Sequence, residues 1–101
     1  MPRPMEIFDA RFNNLERAME IATRRQEVIS HNISNAKTPG FEPLTFDERL
    51  MQAVKRLDRQ EVVLEEELAA LTENSVKYSS YVKLLSSKIN TLKTIATQGR
   101  R

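Results

Sequence analysis

The stretch Ile29-Ser30-His31-Asn32-Ile33-Ser34-Asn35-Ala36-Lys37-Thr38-Pro39-Gly40-Phe41 reads as a helix end followed by a defined turn. Asn35 tolerates the left-handed conformation with which many helices close. Pro39 and Gly40 suit the two central positions of a type II turn between Thr38 and Phe41: proline presets φ at the first, and the second requires positive φ. Phe41, just beyond, is placed to pack back and set the direction in which the chain leaves. Nothing in the stretch is chemically reactive.

Working outward, the chain holds only two Gly and four Pro. Pro2 and Pro4 sit at the amino terminus, Pro39, Gly40 and Pro43 cluster at the turn, and Gly99 lies near the end, so residues 5–38 and 44–98 contain neither breaker. Two long helices about one turn follow from that spacing. In the first, Met5, Phe8, Phe12, Leu15, Met19, Ala22, Gln26, Ile29 and Ile33 recur by steps of three and four. In the second, Leu64, Leu68, Leu71, Ser75, Tyr78, Val82, Leu85, Ile89, Leu92 and Ala96 do the same. Such an alternation is a seam of period 3.5, which favours supercoiling against another helix. The polar residues Gln26 and Ser75 interrupt it, and two readings stand: tolerated defects beside water, or register selectors that disfavour misaligned pairings.

Between the seams, Thr45-Phe46-Asp47-Glu48 has the form of a capping box, and Phe46, Leu50, Val54 and Leu57 mark one face of a short helix. The expected fold is all-α and a single domain over residues 1–101. It has an amino-terminal helix over 5–35, a turn over 36–44, a short helix over 45–57 and a carboxy-terminal helix over 61–97. A kink or break is expected at Asp58-Arg59-Gln60-Glu61, and the two long helices pair antiparallel as a coiled-coil hairpin.

Composition narrows the function. The 101 residues carry 16 Lys+Arg and 14 Asp+Glu, a net charge of only +2, too small an excess for a typical polyanion binder. With no Cys, disulfide scaffolds, thiolate metal sites and thiol catalysis are excluded together. The longest apolar run, Leu68-Ala69-Ala70-Leu71, is far short of a membrane span. The first thirty residues lack an apolar h-region, so no cleaved signal peptide is expected. Charge is nevertheless polarised: residues 61–73 hold five Glu and no base, whereas 74–101 hold six bases and no acid. Either this is a solvated face, or acidic and basic halves of different subunits pack in a staggered way.

Candidate chemistry is sparse. His31 is the only histidine and has neither Cys nor a Ser–acid pair in its motif, so it reads as a surface or packing residue. Glu65-Glu66-Glu67 point about 100° apart on a helix and do not converge on a metal, so they read as a solvated or intersubunit face. Tyr78 and Tyr81 with Lys77 and Lys83 resemble a stacking platform for nucleic acid. Tyr78 belongs to the seam, however, and the lysines at 77, 83, 88 and 93 spread around the helix. The Met5–Ile33 stripe has Glu and Arg mixed on its opposite face, unlike a membrane-surface helix. No enzyme activity, cofactor, metal, nucleic acid or small-molecule substrate is expected.

The turn segment resembles the Asn-Asn-Ile-Ala-Asn-x-x-Thr-Pro-Gly-Tyr/Phe signature near the amino terminus of bacterial flagellar axial proteins. The likeness is carried by Asn32, Ile33, Asn35, Thr38, Pro39, Gly40 and Phe41. It departs at His31, where Asn is usual, and at Ser30 and Ser34, where Ala is usual. Glu67–Tyr78, with its Glu-Asn-x-x-x-Tyr element, Leu84–Lys93, with Leu-Leu-Ser-x-Lys, and Phe46–Leu50 are similar to basal-body rod proteins of the proximal type. The chain is shorter than typical members in its central region.

The resemblance implies a structural subunit whose helices pack into the tube of the motility apparatus. Its implied partners are itself and other rod proteins, with membrane-ring and export-gate components at the end of the basal body. It also implies type III export to the periplasm. The packing seam would be Phe12, Leu15, Met19 and Ile29 against Leu68, Leu71, Tyr78, Val82, Leu85, Ile89 and Leu92. One two-helix hairpin leaves much of each helix uncovered, so folding is expected to be completed by assembly. The alternative is a free-standing coiled-coil adaptor or an export-chaperone-like binding module.

Overall fold

Pro4 opens helix α1 (Pro4–Ser34), where the missing amide hydrogen costs nothing because first-turn amides have no intrahelical acceptor. The computed structural model describes residues 4–98, with side chains from Ala10 onward, so the side chains of the seam positions Met5 and Phe8, and the basic residues Arg100 and Arg101, lie outside what is described. After α1 come strand β1 (Leu44–Asp47), strand β2 (Gln52–Lys55) and helix α2 (Leu64–Gln98). The whole measures 66 × 24 × 15 Å.

The two helices, of 31 and 35 residues, run antiparallel along their length. Contacts fall on α1 as they rise on α2: Asn32 meets Glu67, Ala22 and Gln26 meet Asn74, and Phe12 meets Lys88. Leu15, Ala22 and Val28 are buried along α1. On α2 the buried residues are Glu67 and Asn74, one heptad apart, with Leu71, Tyr81, Leu85, Lys88 and Leu92 half-buried on the same side. Three Glu in the first turn of α2 suit the positive end of its dipole.

The all-α expectation needs correction in the middle of the chain. Residues 45–57 form no helix; β1 and β2 pair antiparallel as a hairpin, with Leu44 opposite Lys55 and Asp47 opposite Gln52. The Thr45–Glu48 capping box is not used. Instead the Asp47 carboxylate accepts the Arg49 amide at 2.8 Å and the Leu50 amide at 3.0 Å, which folds the connection into a loop. Met51, at φ 52°, closes it. The supposed helical face was a coincidence of spacing: Phe46 is buried, but Leu50 is exposed and Leu57 is 97% exposed. Thr45, Phe46 and Val54 are good strand formers, and Phe46 gains its burial from the strand conformation. The expected break at 58–61 is a longer non-helical segment, and α2 begins at Leu64.

Several hydroxyls on the helices bond to their own backbone. Thr23 donates to the carbonyl four residues earlier, as do Thr72, Ser80, Thr91, Thr94 and Thr97 on α2, at 2.9–3.1 Å.

Candidate functional site

The residues of the turn motif build a junction where α1, the hairpin and α2 meet. Asn32 lies in the last turn of α1 and is 1% exposed. Its side-chain amide donates to the Leu44 carbonyl at 2.8 Å, and its oxygen accepts the Leu44 amide at 2.9 Å. The side chain thus satisfies both backbone groups of the first β1 residue, as a neighbouring strand would. The same Nδ2 also donates to Glu67 Oε2 at 3.2 Å.

Glu67 is 3% exposed and carries the junction into α2. Its other oxygen accepts from Arg56 Nη1 at 3.2 Å. Arg56, just past β2, donates through Nε and Nη2 to the two oxygens of Asp58, at 2.9 and 2.7 Å, and its amide donates to the Pro43 carbonyl at 2.9 Å. The hydrogen bond from Arg56 holds the Asp58 carboxyl below its ordinary range, and Asp58 in turn raises the Arg56 guanidinium. Arg59 grips Glu66 in the same way, donating from Nε at 2.9 and 3.1 Å, so Glu66 is held low and Arg59 high. Among the described residues no buried side-chain nitrogen or oxygen lacks a partner. A buried carboxylate so satisfied orients its surroundings; if one partner is removed, the remainder is strongly destabilising.

The turn itself is local. Asn35 Nδ2 donates to the His31 carbonyl at 2.9 Å, and Thr38 Oγ1 donates to Asn35 Oδ1 at 3.2 Å. The Phe41 amide donates to the Thr38 carbonyl at 3.2 Å, with Gly40 at φ 78°. Asn35 does not take the left-handed conformation; among the described residues Met51 is the one non-glycine with positive φ. The helix ends instead through backbone bonds of short span, Ala36 to Ile33 and Thr38 to Asn35. Phe41 packs back on His31, ring centroids 5.4 Å apart and edge to face. Ile33 is half-buried.

The seam residues divide. Leu15 is buried, and Phe12, Met19, Ile29, Leu71, Leu85 and Leu92 are half-buried on the faces the two helices share. Leu68, Tyr78, Val82 and Ile89 remain exposed, with Leu64 beside them. The apolar stripe of α2 is therefore wider than α1 covers. Gln26, the polar interruption of the first seam, accepts from Asn74 Nδ2 at 3.2 Å, and the same nitrogen donates to the Ala22 carbonyl at 2.7 Å. Ser75 is exposed.

Two concavities result. A groove of about 810 Å³ runs between the hairpin and the helices, lined by Phe46, Val54 and Leu57 among others. A notch of about 300 Å³ lies between α1 and α2 beside Ser75 and Tyr78. Sequence reasoning missed Arg56, and it read Glu67 as part of a solvated or intersubunit face. The signal was present in the heptad spacing of Glu67 and Asn74 around Leu71, which puts all three on one helix face.

Comparison with known proteins bears on this junction directly. Residues 12–41 match the family model described as flagella basal body rod protein, a span that holds Asn32 and the Thr38–Phe41 turn. The chain is 26% identical to the flagellar basal body rod protein FlgB of Bacillus subtilis (strain 168), over 95% of this chain and all of the relative. It is 25% identical to FlgB of Aquifex aeolicus (strain VF5), over 90% of the chain and 95% of the relative. FlgB of Buchnera aphidicola is 42% identical over 36 residues, covering 36% of this chain and 27% of that protein. The first alignment is 129 residues long against a chain of 101, so that relative carries residues with no counterpart here.

Proposed function

We propose that this chain is a member of the flagellar basal body rod family and that its two-helix hairpin packs beside neighbouring subunits in the wall of the rod tube. The family is structural, and the chain is a rod component assembling with other rod proteins. The observation that carries the packing mode is the apolar stripe on α2, of which α1 covers only one flank. Leu68, Val82 and Ile89 stand one or two heptads apart on the uncovered flank, the arrangement by which a helix meets a second helix.

The junction at Asn32, Glu67 and Arg56 fits this role because it fixes the hairpin at one end of the pair while leaving the rest of both helices for neighbours. Contacts with membrane-ring and export-gate components, a periplasmic site and passage through the type III channel complete the proposal. Tagging the chain in its native cell and purifying basal bodies tests it. The chain should co-purify with rod components, and its deletion should abolish swimming. Basal bodies without the chain, in cells that swim normally when it is deleted, would refute the reading.

A further inference from the structure

Helix α2 does not turn its most apolar side to α1. Its residues fall on lines along the helix, seven positions apart, and two of these lines face α1. One is Leu71, Tyr78, Leu85 and Leu92, half-buried except at Tyr78. The other is Glu67, Asn74, Tyr81 and Lys88, the first two buried and the last two half-buried. The adjacent line, Leu68, Ser75, Val82 and Ile89, is exposed throughout although it is the more apolar. Hydrophobic burial alone would face that line inward beside the leucines, as the periodicity of the sequence implies. Neighbouring residues differ by about 100° around a helix and the leucine line is shared, so α2 stands turned by about 50° from that orientation. The turn leaves a gap: the notch opens on the uncovered flank, between Thr23 of α1 and Ser75, Tyr78 and Ser79 of α2.

What holds α2 in this orientation is polar. The Glu67 carboxylate accepts from Asn32 and from Arg56, each at 3.2 Å. Asn74 Nδ2 donates to the Ala22 carbonyl at 2.7 Å and to Gln26 Oε1 at 3.2 Å. Lys88 lies over the Phe12 ring. Each of these partners stands at one level and on one side of α1 or the hairpin. Sliding α2 by one heptad would set Asn74 against Asn32 and leave Arg56 without its buried carboxylate. Turning it the other 50° or so would carry Glu67 and Asn74 away from every partner they have. A buried polar group satisfied in only one arrangement excludes the others, at a cost in burial.

We propose that Glu67 and Asn74 are positioning residues for the rotation of α2, holding Leu68, Val82 and Ile89 outward against the hydrophobic pattern of the helix itself. The chain thereby gives up burial within one molecule and keeps an apolar line uncovered. That a neighbouring subunit takes this line rests on the rod reading above; the orientation does not.

Moving the two residues one place along the helix tests this without changing composition. In the full chain, Glu67→Leu with Leu68→Glu and Asn74→Ser with Ser75→Asn set both polar groups on the apolar line. A turn of about 50° then brings them back toward α1. The chain has no cysteine, so a single Val82→Cys or Tyr81→Cys reports through its alkylation by iodoacetamide which line faces water. In the otherwise native sequence the Val82→Cys thiol should react about threefold faster than the Tyr81→Cys thiol, and in the four-site variant that order should reverse. Helicity by circular dichroism should be retained. The urea midpoint should match or exceed the native one, because Val82 and Ile89 now face α1 in place of Tyr81 and Lys88. The variant should be missing from purified basal bodies that contain the native chain.

An unreversed order in a folded four-site variant overturns the role of Glu67 and Asn74, which would then be sources of stability only. Equal rates at the two positions in the native sequence overturn the orientation itself. If the four-site variant does not unfold cooperatively, the Asn74→Ser, Ser75→Asn exchange alone replaces it. Failure of that exchange to fold, or an unchanged ratio of rates within it, overturns the role equally. A reversed order with normal entry into basal bodies overturns the use of the outward line in assembly. If the native chain is itself missing from basal bodies the rod reading falls, and the alkylation rates still decide the orientation.

Discussion

Asn32 and Leu44, twelve residues apart, exchange two hydrogen bonds in which a side-chain amide meets both backbone groups of one residue. An asparagine does here what a third strand would do, at a point where α1 offers no strand. Serine is too short for both contacts, and aspartate cannot donate. Asparagine is the compact side chain that both donates and accepts.

Asn32→Ala should therefore destabilise the chain by about 2–4 kcal/mol, since it leaves the Leu44 groups unpaired and removes one donor from Glu67. Asn32→Asp should be no better, because a carboxylate would face both the Leu44 carbonyl and Glu67. Urea unfolding followed by circular dichroism measures both, and either variant unfolding at the wild-type midpoint would contradict the role given to this side chain.

Acid should loosen the hairpin's attachment through two carboxylates. Asp58 is held below 3.8 by Arg56, and Glu66 below 4.5 by Arg59. Depressed folded values mean that the stabilisation is present above those ordinary values and is lost as pH falls through the lower, folded ones. Arg59→Gln should return Glu66 toward 4.5 and shift that part of the acid transition upward. Carboxyl chemical shifts recorded between pH 2 and 6 read the change, and an unmoved Glu66 would remove the Arg59 contact from the account.

Gly40 separates backbone cost from crowding. A Cβ there meets nothing within 4 Å, so the penalty for a substitution comes from φ alone. Gly40→Ala should cost about 1 kcal/mol, Gly40→Asn less, and Gly40→Val more. Pro39→Ala should be milder, because alanine reaches the same φ and gives up only preorganisation. Incorporation into basal bodies should follow that order, and equal incorporation of Gly40→Val and wild type would reduce the turn to a linker.

Two leucine-type positions on α2 should behave differently. Leu85 is half-buried on the flank facing α1, and Ile89 is 40% exposed on the other. Leu85→Asp should lower the stability of the isolated chain by about 2 kcal/mol or more. Ile89→Asp should leave its melting unchanged within about 0.5 kcal/mol yet block rod incorporation. If both variants lose the same stability, the uncovered flank is part of the chain's own core.

The long helices were legible because breaker positions and a period near 3.5 agree over more than thirty residues, and few alternatives satisfy both. The hairpin was not. Phe46, Leu50, Val54 and Leu57 fit a helical face by spacing, and only the capture of two amides by Asp47 chose the loop. The turn motif pointed to the junction through Asn32, but its other half was hidden. Glu67 looked like one of three solvated acids until Arg56, eleven residues earlier, came to lie against it. The heptad spacing to Asn74 put Glu67 on the inner face, but its pairing with Arg56, across a non-helical segment, leaves no periodic trace.

The self-bonded hydroxyls give α2 a further property. A serine or threonine whose proton already rests on its own helix's carbonyl surrenders little to water when a surface dries. Thr72, Ser80, Thr91, Thr94 and Thr97 are in that state, and Thr23 is so on the lip of the notch. A face that tests as hydrophilic in the free chain is thus already prepared for dehydration. Such a face can close against a neighbour without stranding a donor.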